Sequence, residues 1–237
     1  MSIKKNLLNL KSKLPDNISL VAVSKTKPIS DLEQAYLTGQ RIFGENKVQE
    51  MVQKYEIMPK DIKWHMIGHL QRNKVKYIAP FVNLIHGVDS LKLLKEINKQ
   101  ALKCDRTIDC LFQLKIASEN TKFGMSKNEL QTILNCDEFK KLKNIKIRGL
   151  MGMASFTGDF DRIELEFKYL KSIFDDLKNN VILAAILAYK ASEDDKKASR
   201  ERRVLPKSSV NPRTGRPMRS RGWPSVRKPN RDGTSSR

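Results

Sequence analysis

The sequence predicts an α/β protein of the (β/α)8 TIM-barrel type, incomplete at about six βα units and followed by a basic tail. Three observations carry this. Short apolar runs alternate six times with stretches of helical periodicity. The connections between them are short. Beyond residue 178 the alternation stops and the composition changes. Such alternation argues a parallel sheet covered by helices. Right-handed crossovers then leave a doubly wound sheet or a closed barrel. No Gly-x-Gly-x-x-Gly follows the first apolar run, which counts against a dinucleotide-binding sheet and favours the barrel.

Each element has its own signal. Residues 1–14 place Leu7, Leu8 and Leu10 among lysines, as an amphipathic helix does. Residues 18–25 are the first strand, ending in Val21-Ala22-Val23-Ser24-Lys25. Pro28 cannot continue a ladder and pre-sets a helical turn, so a helix is expected over 28–40. Residues 41–46 form a second strand and 47–58 a helix with Val48, Met51, Val52 and Tyr55 on one face. A third strand is expected over 62–69, a helix over 73–81 and a fourth strand over 84–88. Ser90 caps a helix over 91–103, striped by Leu91, Leu94, Ile97, Ala101 and Leu102. A fifth strand spans 110–117. Ser126 and Glu129 form a capping box before a helix over 127–134. The sixth strand covers 145–153, and a long helix 161–177.

Composition bounds the function. The 237 residues suffice for one sizeable core and fit a single barrel better than two domains. The expected division is a barrel over residues 1–180 and an atypical Arg/Pro/Ser-rich tail over 181–237, without enough apolar content to fold alone from residue 190 onward. The net charge of +20 is shared unequally in density: residues 1–180 hold 26 Lys and 5 Arg against 21 acidic residues, and residues 181–237 hold 5 Lys and 10 Arg against 5. Cys104, Cys110 and Cys136 show no Cys-x-x-Cys spacing, which argues against a disulfide framework or zinc site and for a reducing, cytoplasmic setting. No signal peptide is apparent. The longest apolar run, Val181 to Tyr189, falls short of the ~20 residues that span a bilayer.

The chemistry gathers at the predicted carboxyl ends of the strands. These are Lys25, then Gly44-Glu45-Asn46, then His65 to Gln71, then Met151-Gly152-Met153-Ala154. In a barrel these ends share one face. An amine desolvated there loses basicity and can form an imine with a carbonyl; otherwise Lys25 is a solvated strand-end residue. Asn46 can hydrogen-bond a ring substituent without adding charge, or it caps the following helix. His65 and His69 have the spacing of a helical metal pair, but on a strand they lie ~13 Å apart at ~3.3 Å per residue, which excludes joint chelation. His65 is then a satisfied interior histidine or a ring-stacking group. Met151 and Met153 read more readily as core than as ligand, and Lys122 to Met125 as a turn.

Together these stretches resemble the pyridoxal-phosphate homeostasis proteins, relatives of the alanine racemase N-terminal barrel. The matching residues are Ala22 to Lys27, Phe43 to Glu50, Trp64 to Lys74, Asn120 to Gly124 and Arg148 to Met151, in the family's order and spacing over residues 1 to 178. The resemblance implies a (β/α)8 barrel with pyridoxal 5′-phosphate held as a Schiff base on Lys25, and Asn46, His65 and Met151 near the cofactor. It implies a monomeric, cytoplasmic cofactor-handling protein in vitamin B6 balance, with no proven reaction, no membrane and no nucleic-acid partner.

After Lys178 the resemblance ends. The family's seventh strand and its Gly-Ser-Thr…Val-Arg-Ile-Gly segment, which holds the phosphate, are not present in this sequence. A tail this rich in arginine suits a nucleic-acid arm. The switch from Lys to Arg and the abrupt end of the alternation instead favour a frameshift or fusion that replaced the last barrel units. Loss of several charge-assisted bonds to phosphate, each worth ~1.5–3 kcal/mol, is expected to weaken cofactor binding by orders of magnitude. A six-stranded product is expected to be marginally stable and prone to aggregate. The alternatives are a racemase-like enzyme on the same cofactor and a nucleic-acid binder driven by the tail.

Overall fold

A computed structural model describes residues 2–117, 119 and 123–179. The expectations for Asn120 to Lys122 and for the tail from residue 181 lie outside the described residues.

Six strands form one sheet in the order β1-β2-β3-β4-β5-β6, every neighbouring pair parallel. They are β1 (Ala22–Val23), β2 (Ile42–Glu45), β3 (Lys63–Met66), β4 (Leu84–Val88), β5 (Ile108–Leu114) and β6 (Ile145–Gly152). Sequential order distinguishes the two candidate architectures. A doubly wound sheet reverses its strand order to put helices on both faces; repeated right-handed crossovers without reversal put every helix on one face, which is the barrel arrangement. The helices are α1 (Ile3–Lys11), α2 (Ile29–Leu37), α3 (Val48–Ile57), α4 (Val75–Ile78), α5 (Leu91–Lys103), α6 (Lys127–Asn135) and α7 (Asp137–Lys140). A further helix, α8, runs over residues 160–179.

Strand alternation divides the sheet into two faces. Phe43, Trp64, Met66, Ile85, Cys110 and Phe112 are buried against the helices, where they meet Leu32, Met51, Ile78, Leu94 and Ile97. The alternate residues, among them His65, Leu84, His86 and Leu111, face the other way and are only half-buried.

The structure corrects several boundaries. The first strand is two residues long, because the Lys27 N–H donates to the Ser24 carbonyl at 3.1 Å and turns the chain. The buried Gln40 amide ties the approach to β1 onto β2 by donating to the Leu20 and Ile42 carbonyls. The third strand stops at Met66 and the fifth runs from Ile108 to Leu114. The helix expected over 73–81 is a 3-10 turn at Arg72–Lys74 leading into α4, which ends ahead of Pro80. Helix α7 was not foreseen. Met125, read as part of a turn, forms a parallel bridge with Leu114, and Gly124 at φ +135° lets the chain approach Leu114. The caps agree with the sequence reading: Ser90 accepts from the Leu93 N–H, and Ser126 and Glu129 form the capping box.

Candidate functional site

Because all six strands are parallel, their carboxyl ends form one end of the sheet. Lys25 follows β1 after Ser24, and Asn46 is the first residue after β2. His65 is in β3, and Met151 in β6 pairs with Gln113 of β5. Glycines bring the intervening loops close. A Cβ on Gly68 would lie 2.5 Å from the Asn46 carbonyl oxygen, and one on Gly87 2.9 Å from the Gly68 carbonyl oxygen. The loops after β2 and β3 and strand β4 at Gly87 therefore meet backbone to backbone at the site.

Lys25 is exposed, so the expected desolvation of its amine inside the sheet does not occur. It occupies the second position of the Ser24–Lys27 turn. Thr26 follows at φ 63°, a left-handed conformation that strains a β-branched residue. Asn46 does not cap α3: the capping position is Lys47, in an extended conformation, so Asn46 lies one residue too early. The Asn46 side chain is half-buried and makes no hydrogen bond among the described residues. Its amide is free to meet a ligand.

His65 is a satisfied interior histidine. Its Nδ1 lies 3.0 Å from Nε2 of His86 on β4, so one ring donates a hydrogen bond to the other. Burial, then the His86 and Lys63 charges, holds His65 down to about 4, and burial holds His86 below its ordinary value. His69 stands apart from this pair, 3.4 Å from the Asp89 carboxylate and stacked on Phe123. Among the described residues, no group of three or more potential metal ligands occurs. Burial pushes the Cys110 thiol up to about 12, which leaves it protonated and unreactive.

Sequence reasoning missed two features. One is His86. The other is a buried ionic cluster beneath the Lys25 turn. The Lys54 ammonium, 5% exposed, donates to the Ser24 carbonyl at 2.6 Å, to Glu45 Oε1 at 2.8 Å and to Glu50 Oε1 at 2.7 Å. Ser24 Oγ donates to Glu45 Oε1 at 2.6 Å, and the Thr26 N–H to Glu50 Oε1 at 2.6 Å. Burial raises the Glu45 carboxyl despite these partners, and its Oε2 is buried without one. The Lys54 hydrogen bond lowers Glu50. Glu50 and Lys54 could be read from sequence only as an ordinary i,i+4 helix pair.

The sequential parallel strand order defines a barrel-type α/β protein. The family described as alanine racemase, N-terminal domain, matches residues 1–197, extending past residue 178. A pyridoxal phosphate homeostasis protein of Pasteurella multocida is 34% identical over 191 residues, covering 75% of this chain and 81% of that one. The Synechocystis protein of the same name is 39% identical over 162 residues, 68% of this chain and 73% of its own. The chain therefore belongs to the alanine racemase N-terminal domain family and, within it, to the pyridoxal phosphate homeostasis proteins. Among solved structures, PipY of Synechococcus elongatus with PLP bound superposes with a TM-score of 0.68 at 30% identity, covering 75% of this chain and 82% of that one. Alanine racemase of Clostridium difficile gives 0.61 at 15% identity, with 48% of its chain covered; this likeness shows the fold.

Proposed function

We propose that this chain binds pyridoxal 5′-phosphate through Lys25 and serves intracellular vitamin B6 homeostasis as a cytoplasmic carrier rather than an enzyme. The single observation that carries the reading is the exposed Lys25 amine at the carboxyl end of β1, beside an Asn46 amide with no partner among the described residues. The cofactor supplies an aldehyde, which a lysine amine takes up as a Schiff base with loss of one water. Lys25 offers that amine, Asn46 offers a neutral hydrogen-bonding group to the ring, and His65 and Met151 lie on strands of the same sheet. These residues fit the group.

The division of the chain into a cofactor-binding barrel, residues 1–180, and a separate tail belongs to this proposal. So does a monomeric state. One point supports a carrier over a racemase: the relatives above 30% identity are named for homeostasis. Among the described residues, no helix is long and apolar enough to cross a membrane.

The test is the visible absorption of purified protein with added pyridoxal phosphate. A band that rises with added cofactor and vanishes in Lys25→Ala is expected. A colourless protein, or equal binding by Lys25→Ala, contradicts the reading. Turnover of L- to D-alanine lost in Lys25→Ala would replace the carrier with an enzyme.

A further inference from the structure

The cluster under the Lys25 turn is attached to the two peptide groups that flank Lys25. The Ser24 carbonyl, which belongs to the preceding peptide, accepts from Lys54 at 2.6 Å. The Thr26 N–H, which belongs to the following one, donates to Glu50 at 2.6 Å. Both partners are on α3. Two anchored peptide planes fix the Cα between them, and with it the direction in which the Lys25 side chain leaves the backbone. The anchoring also holds Thr26 at φ 63°, which a threonine does not keep unaided. The third proton of Lys54 goes to Glu45, the residue before Asn46. One ammonium thus connects the backbone at Lys25 with the strand end that carries Asn46.

We infer that Lys54 and Glu50 are positioning residues that aim the Lys25 amine at the cofactor and fix its placement relative to Asn46. This rests on Lys25 being the cofactor-binding amine. Preorganisation of this kind acts on affinity, because a misdirected lysine must be ordered again at each binding event. The burial agrees with a dedicated role. Lys54 and Glu45 are 5% and 0% exposed, and a buried ion cluster is weak support for stability by itself.

Glu50 is the residue to change, since its side chain is 22% exposed and Lys54 keeps Glu45 as counter-ion when it is removed. Lys54→Met would strand Glu45 in the core and unfold the protein. Two quantities are measured on the full chain: affinity for pyridoxal phosphate from the Lys25-dependent band, and the exchange rate of the Thr26 amide hydrogen without cofactor. In Glu50→Ala, Thr26 exchange is expected to accelerate and affinity to fall about tenfold, about 1.4 kcal/mol. Glu50→Gln keeps a carbonyl oxygen in place for the Thr26 N–H and is expected to recover most of both. Accelerated exchange with unchanged affinity overturns the inference, as does a Glu50→Gln variant as weak as Glu50→Ala. If the wild type shows no Lys25-dependent band, the inference falls together with the functional reading. A wild type that binds through Lys25 while Glu50→Ala binds equally well overturns the inference alone.

Discussion

Individual side chains set the pH response and the ligand contacts. His65 and His86 are both held below the ordinary imidazole value, His65 at about 4 against 6.5. Between those values the unfolded chain binds more protons than the folded one, so stability rises with pH across that window and is lost as pH falls through it. Urea midpoints should therefore drop from pH 6.5 toward 4.5, and His65→Asn should flatten the decline; an unchanged profile would dissociate the pair from acid sensitivity. Asn46, half-buried and without a side-chain partner among the described residues, predicts a different pattern. Asn46→Ala should leave stability within about 0.5 kcal/mol while weakening cofactor binding, as paired denaturation and titration would show. Lys25, Asn46 and His65 stand out in the sequence because each falls toward the carboxyl end of an expected strand. His86 was not, because nothing in Ile85-His86-Gly87 sets it apart until β4 lies beside β3. The desolvation expected of Lys25 failed for a local reason: the chain turns at Ser24 and carries Lys25 out to solvent.

At the scale of elements, the strand ends are held together by loops in backbone contact. Gly68→Ala places a methyl against the Asn46 carbonyl with no flexible side chain to give way. It should cost about 1–3 kcal/mol, the range for overpacking, and move Asn46, read as a lower melting temperature with a further loss in affinity. A glycine at this point explains itself only once the β2 and β3 loops meet, so the sequence could not announce it. Elements with strong local signals were readable to the residue, as β4 and α5 show. Those cut short by a turn were not. β1 shrinks because a turn takes its carbonyl, and the helix after β3 shrinks to two short pieces.

For the whole molecule, strand order is the deciding fact. Among the described residues β1 pairs with β2 alone and β6 with β5 alone, so each presents one side without a sheet neighbour. Val23, 52% exposed on β1, adds apolar surface there. Open, apolar strand edges template association. Aggregation on concentration or mild heating is expected, and Val23→Lys should suppress it in light scattering; equal scattering by the variant would remove β1 from the account. The number of βα units was legible from alternation and the barrel from the missing Gly-rich fingerprint. Strand order itself became visible only in three dimensions.

The central claim is that Lys25 is the cofactor amine. Borohydride reduction of protein incubated with pyridoxal phosphate, followed by peptide mass mapping, tests it most directly, since reduction makes the link permanent. The account predicts the added mass on Lys25, with neighbouring Lys27 unmodified at limiting cofactor. Label spread over surface lysines, or concentrated on any other residue, would contradict it.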